Sequence, residues 1–202
     1  MSYDEDEIRK EFFTEEQKEM ILKKWESNRM LRPKISKVTV NIAVGTSGEK
    51  LKNAMTVLES ISGQKPVQCT AKKTIRDFHI RKNEPIATKV TLRGKKAERF
   101  LEKAFDVMDF KLKYSSFDKF GNVSFGIKEH IELPETEYDP NLGIFGMDIN
   151  ISIERPGSRI KNRYRLKSKI SHKHNMNILE SMIFLNTKFN IKIVEKYLIH
   201  YY

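Results

Sequence analysis

Met147-Asp148-Ile149-Asn150-Ile151-Ser152-Ile153-Glu154 alternates an apolar residue with a polar one along its whole length. Successive side chains of a strand point to opposite faces, so this octet predicts a strand with one face in a core and the other in water. Arg155-Pro156-Gly157 ends it, because proline has no N–H to give a ladder. The same period recurs upstream, where Val38, Val40, Ile42 and Val44 alternate with Lys37, Thr39, Asn41 and Ala43. Val123, Phe125 and Ile127 make a shorter version, and Val67 to Thr70 and Ile86 to Leu92 read as two more strands.

Between the strands the period changes to that of a helix. Thr14-Glu15-Glu16-Gln17 has the spacing of a capping box and predicts a helix through Met20, Ile21 and Trp25 that stops before Pro33. Leu51, Ala54, Met55, Leu58 and Ile61 recur at helical spacing, with Gly63 where a C-terminal cap belongs. Gly94 opens a third helix, with Ala97, Phe100, Leu101, Ala104, Val107 and Met108 on one face, and a fourth runs from about Ile178 to Lys188. This order of elements predicts an α+β fold: an antiparallel sheet with helices packed on one face and a polar face left open for binding. Lys72 to Asn83 is too polar for a core and long enough to project as a basic loop. The expected organisation is an acidic helical extension over 1–29, a binding domain over 30–190 and a tail over 191–202. Trimming residues 1–27 is expected to leave the core folded.

The charge is strongly polarised. Among 202 residues the formal net charge is +11, an argument for a polyanionic partner. Residues 1–19 hold eight acids against three bases, whereas Arg155 to His174 holds eight Lys or Arg and no acid. Lys65 to Arg99 holds eleven bases against Asp77, Glu84 and Glu98. A plain solvated face would alternate its signs, so nucleic acid is the better reading of both basic stretches. Around Phe78 and His79, Lys72, Lys73, Arg76, Arg81 and Lys82 supply cations for phosphates, while the rings can stack on an exposed base. The alternative for Phe78 is a ring folded inward as an anchor. In the later run, Ile160, Leu166 and Ile170 are the expected anchors beneath outward charges.

Other chemistry finds no carrier. Gly45-Thr46-Ser47-Gly48-Glu49-Lys50 lies between strand and helix but fails the P-loop spacing, so a tight turn is expected, with room for one RNA phosphate at the helix start. His172 and His174 flank Lys173 among cations that repel a metal ion. Glu129, Glu132, Glu135, Glu137 and Asp139 read as a solvated acidic surface rather than an acid/base pair. Cys69 is the sole cysteine, so no intrachain disulfide forms, and no apolar run approaches the roughly 20 residues that span a bilayer. No signal peptide, cofactor, metal site or membrane partner is expected.

Seven segments, in order, resemble the large-subunit ribosomal protein family called L-five in bacteria and L-eleven in eukaryotes. They are Val40-Asn41-Ile42-Ala43-Val44-Gly45 with Ser47-Gly48; Ile61-Ser62-Gly63-Gln64-Lys65-Pro66-Val67; Ala71-Lys72 through Ile80-Arg81-Lys82-Asn83-Glu84; Val90-Thr91-Leu92-Arg93-Gly94; Phe125-Gly126-Ile127-Lys128-Glu129-His130; Tyr138-Asp139-Pro140 leading to Gly146-Met147-Asp148-Ile149; and Arg155-Pro156-Gly157 with the basic run, which looks archaeal or eukaryotic. The resemblance implies a structural protein of the large subunit's central protuberance, not an enzyme. Its implied partners are 5S rRNA, large-subunit rRNA, P-site tRNA and neighbouring ribosomal proteins.

Charge and resemblance together nominate Lys34, Lys37, Asn41, Gly45, Lys65, Lys72, Lys73, Arg76 and Arg93 as RNA-binding residues. In the later run they nominate Arg155, Arg159, Lys161, Arg163, Arg165, Lys167, Lys169, Lys173 and His174. The resemblance assigns tRNA contact to Arg76, Phe78, His79, Arg81 and Lys82. A cytoplasmic ribosomal location, with nuclear and nucleolar passage during assembly, is implied as well. Two other classes stay open at this point: a nucleic-acid-processing enzyme, which would need a carboxylate cluster beside the cations, and a regulatory module with protein partners off the ribosome.

Overall fold

A computed structural model describes residues 12–134, 136 and 139–195. Its main sheet is built from β1 (Lys34–Ala43), β2 (Val67–Thr70), β3 (Pro85–Leu92), β5 (Val123–Ile127) and β6 (Met147–Glu154). These five antiparallel strands lie in the order β2-β3-β1-β6-β5. The helices are α1 (Glu15–Ser27), α2 (Glu49–Ser62), α3 (Lys95–Val107) and α4 (Ile178–Phe189). Each expected strand and helix is present, with boundaries moved by a few residues. A second sheet was not foreseen: β4 (Lys111–Lys113) pairs in parallel with β7 (Lys192–Val194). Three residues are too few to show a period, and the partners lie far apart in the chain.

The chain forms two compact units. One comprises residues 37–107 and 124–151. Here the alternation does what hydrophobic burial requires. Val38, Val40 and Ile42 of β1, Val90 and Leu92 of β3, and Met147, Ile149 and Ile151 of β6 are all buried. Helix α2 packs against β3, and Phe105 of α3 meets Phe125 of β5 at 5.6 Å between ring centroids. Gly63 ends α2 in the left-handed conformation at φ +59°, where its N–H donates to the Glu59 carbonyl at 2.9 Å. On the opposite face of the sheet, Asn41 stands across from Lys89 and Thr39 across from Thr91. That face also carries Asp148, Asn150 and Ser124, the last two joined at 2.8 Å. One face is apolar and covered by helices; the other is polar and half open.

The second unit comprises residues 1–36, 108–123 and 152–202, as far as these are described. The capping box on α1 forms as expected, with Thr14 Oγ1 accepting from the Gln17 N–H and Gln17 Oε1 from the Thr14 N–H. Trp25 of α1 is buried and meets Phe184 of α4 edge-on at 6.5 Å. Lys24 of α1 reaches Oε1 of the buried Glu180 at 3.6 Å. Helix α1 is therefore part of this unit's core, and trimming residues 1–27 would uncover α4 rather than remove an appendage.

Arg155 corrects a second expectation. It is only 3% exposed, and its Nη2 donates to Glu180 Oε2 while its Nη1 donates to the Lys173 carbonyl at 3.2 Å. A guanidinium in the interior cannot remain unpaired, and here its terminal nitrogens are taken up by the fold itself. Removing the counter-charge alone should be severe. Glu180→Gln is expected to cost about 3–5 kcal/mol in urea unfolding, because it strands a buried cation. Replacing both partners by apolar residues, Arg155→Met with Glu180→Leu, should recover most of that loss. Lys24→Ala, at an exposed end of the same cluster, should cost no more than about 1 kcal/mol.

Candidate nucleic-acid interface

The connection from β2 to β3 is a narrow hairpin rather than an irregular loop. The Ala71 N–H donates to the Glu84 carbonyl at 2.8 Å and the Asn83 N–H to the Ala71 carbonyl at 2.9 Å. Further out, Ile75 and Ile80 exchange both backbone bonds, at 2.9 and 3.1 Å. The tip Arg76 to His79 is closed by the His79 N–H on the Arg76 carbonyl at 3.0 Å, with His79 at φ +53°. Every side chain from Lys72 to His79 is exposed. Phe78 is 71% exposed, which removes the alternative of an inward anchor. Arg81 and Lys82 are exposed as well, so the cations and both rings expected here are available to a ligand.

The hairpin is tied to the β1–α2 turn through one carboxylate. Glu84 Oε1 accepts from the Ser47 hydroxyl at 2.7 Å and Oε2 from the Arg81 N–H at 2.9 Å. Gly45, at φ +81°, belongs to the same turn, and its N–H donates to the Ile86 carbonyl at 2.9 Å. The turn thereby joins strand, helix and hairpin. Lys65 is exposed just after α2 and Arg93 just after β3. Lys37 and half-buried Asn41 lie on the open face of β1. Lys89, exposed and paired across from Asn41, extends that face with a cation the sequence reading passed over. Its signal was present as the polar phase of Ile86 to Leu92, but only the strand register puts it beside Asn41.

Lys34 and the later basic run belong to the other unit. Arg159, Lys161, Arg163, Arg165, Lys167, Lys169 and Lys173 are all exposed, and His174 is half-buried with its Nε2 at 2.9 Å from the Pro156 carbonyl. Lys161 is partly neutralised by Glu154 at 2.7 Å. Leu166 is not the anchor expected of it: it is 83% exposed at φ +51°, and its carbonyl accepts from Arg163 Nε at 2.8 Å. A short apolar residue cannot reach a core from a turn that faces water. Tyr164 at the same turn is 99% exposed. Ile170 alone of the expected anchors is half-buried; Ile160 is exposed.

Among the described residues, the carboxylate of Glu84 is tied to Ser47 and Arg81 in the first cluster and that of Glu154 to Lys161 in the second. Of the acidic stretch, Glu129, Glu132 and Asp139 are exposed, while Glu135 and Glu137 lie outside the described residues. Among the described residues no group of three potential metal ligands converges. No helix is long and apolar enough to cross a membrane, again among those residues. His130 is buried, its Nδ1 accepting from the Phe145 N–H at 3.3 Å, and burial holds its pKa below the ordinary imidazole value.

Two family models match the chain: one described as ribosomal protein L5 over residues 28–81, and one described as the C-terminus of the same ribosomal family over residues 85–185. Helix α1 precedes both matches. The chain is similar to the large ribosomal subunit protein uL5 of Sulfurisphaera tokodaii, 51% identical over 169 residues covering 83% of this chain and 96% of that protein. The corresponding protein of Aeropyrum pernix is 51% identical over 175 residues, 86% of this chain and 91% of its own. That of Sulfolobus acidocaldarius is 47% identical over 168 residues, 83% and 94% respectively.

The Glu84 tie predicts a pH response. The Arg81 N–H, then the Ser47 hydroxyl, hold this carboxyl below the usual carboxylate range. A depressed pKa means the tie contributes above the unfolded-state value and is lost as pH falls through the folded one. The Arg81 amide resonance should therefore shift and its exchange protection drop on acidification below the ordinary carboxylate range. Glu84→Gln should abolish that transition; a transition that survives in the variant belongs to another group.

Proposed function

The chain belongs to the ribosomal protein L5 family, and on that premise we propose that it is a structural protein of the large ribosomal subunit that binds 5S rRNA. In this reading residues 30–190 carry the RNA contacts, and the hairpin from Lys72 to Asn83 reaches a P-site tRNA. The protein is not an enzyme; its work is binding. The observation that carries the reading is the identity of about half the residues to proteins named for the large subunit, across nearly their whole length. The exposed cations support it, because each phosphate they neutralise releases condensed counterions. Asn41, Phe78, His79 and Tyr164 supply the polar and planar groups that fix position on unpaired bases. Neighbouring ribosomal proteins are the remaining partners of this assembly. Nuclear and nucleolar passage has no support here, since the relatives named above are archaeal.

Cosedimentation with large subunits tests the assignment directly. Lys72→Glu combined with Arg76→Glu is expected to weaken 5S rRNA binding by at least about tenfold at physiological salt, without lowering thermal stability. The affinity of the unmodified protein should fall steeply between low and physiological salt. Salt-independent binding, or a protein absent from ribosomal particles, would defeat the proposal.

A further inference from the structure

The second unit contains a cleft of about 370 Å³ that no expected site residue explains as a whole. Its size falls in the range of small-ligand pockets, roughly 300–1,000 Å³. Ile153 and Met176, both buried, give it an apolar floor. Phe120, 59% exposed, stands in its wall at the tip of a tight turn. That turn is closed twice, by the Asp118 N–H on the Asn122 carbonyl at 2.8 Å and the Gly121 N–H on the Asp118 carbonyl at 2.9 Å. It also seats directly on the floor: a Cβ at Gly121 would lie 2.9 Å from Met176 Cβ. The ring is thus presented by a braced turn.

The polar lining has a definite chemistry. Asn175 brings an amide, a donor and an acceptor together, of the kind that reads a base edge, and Asn122 brings a second, whose Nδ2 also donates to Asp118 Oδ2 at 3.4 Å. Lys169 and His172 lie on the rim, and Lys169 has no ion-pair partner among the described residues. At the inner end the buried Arg155 lines the cleft, its Nε without a hydrogen-bond partner among those residues. One carboxylate, Glu154, also lines the cleft and is paired with Lys161 at 2.7 Å. A cleft with an apolar floor and an exposed ring, flanked by amides and cations, matches a planar heterocycle that carries a phosphate.

We infer that this cleft receives one unpaired nucleotide of the bound RNA, splayed out of its helix. The base lies against Phe120, Asn122 and Asn175 meet its edge, and Lys169 with His172 takes its phosphate. Extruded bases stacked on aromatic side chains and bonded along their edges are the usual means of specific RNA recognition. The inference rests on the RNA-binding reading above and adds to it a site whose contribution is stacking rather than charge.

That difference makes the two separable. The full chain is titrated with 5S rRNA and with large-subunit rRNA, over a salt series, as the unmodified protein and as Phe120→Ala, Phe120→Tyr and Lys169→Ala. Phe120→Ala should weaken binding to one of these RNAs roughly tenfold with the salt slope unchanged, as expected when a stacking ring is lost. Phe120→Tyr should keep the affinity. Lys169→Ala should reduce the slope by about 1, as for one phosphate contact. Ultraviolet cross-linking with mass spectrometry should find a nucleotide on the peptide that contains Phe120. Should Phe120→Ala fail to fold, Phe120→Leu, apolar but without a ring, takes its place with the same expected loss. Unmodified affinity in the ring-less variant with no cross-link at Phe120 overturns the cleft while leaving the RNA reading intact. So does suppression of that cross-link by inorganic phosphate or polyglutamate as readily as by a competing oligoribonucleotide. No binding of either RNA by the unmodified protein overturns both.

Discussion

One guanidinium organises the half of the protein that carries the later basic run. Arg155 follows directly on β6, donates to the carbonyl of Lys173 and is paired with Glu180 of α4, whose other oxygen faces Lys24 of α1. Three stretches distant in sequence, α1, the end of β6 and residues 173–180, therefore meet at one buried charge pair. Such a pair contributes little net stability relative to an apolar replacement, because desolvation cancels most of the attraction. What it does is penalise every arrangement in which one partner is missing. Residues 156–172 leave and return at fixed points, so their exposed cations are carried on a closed segment rather than a free tail.

In the other unit the constraint is the pleat. With a period of two, Val38, Val40 and Ile42 cannot be buried under helices without turning Lys37, Thr39 and Asn41 to the opposite side. The polar face is a by-product of making a core. The hairpin between β2 and β3 extends the same logic: its own ladder, Glu84 and the Thr74 hydroxyl hold the backbone, while the side chains from Lys72 to His79 are exposed. Exposed cations and rings on a braced backbone are suited to a ligand that supplies the phosphates and bases.

The two basic regions contribute different things to such a ligand. The hairpin offers charge with two rings at its tip, whereas the later run offers charge around a single exposed tyrosine and above an apolar cleft. Charge alone gives affinity without address. Rings, amides and shape give the address, and both are needed by a protein that must sit at one place on a large folded RNA.

Much was legible from the chain by itself. Period-two runs named three of the five strands, helical spacing named α2 and α3, and the capping box and Gly63 marked ends that the structure places within a residue or two. These are local signals, set by backbone geometry and by which side of an element meets water. Charge polarity and the ordered motifs pointed to RNA for the same reason: cations and turn residues act where they stand in sequence. What the chain alone did not decide is which residues meet across distance. Arg155 reads as one more cation of a basic run until folding brings Glu180 to it, and Leu166 reads as an anchor until its turn is seen to face water. Lys89 gains Asn41 as a neighbour only through strand register, and Phe120 becomes the wall of a cleft only when Met176 packs under its turn. Burial and pairing are properties of the packed chain, since a side chain's environment is made by residues that no local pattern contains.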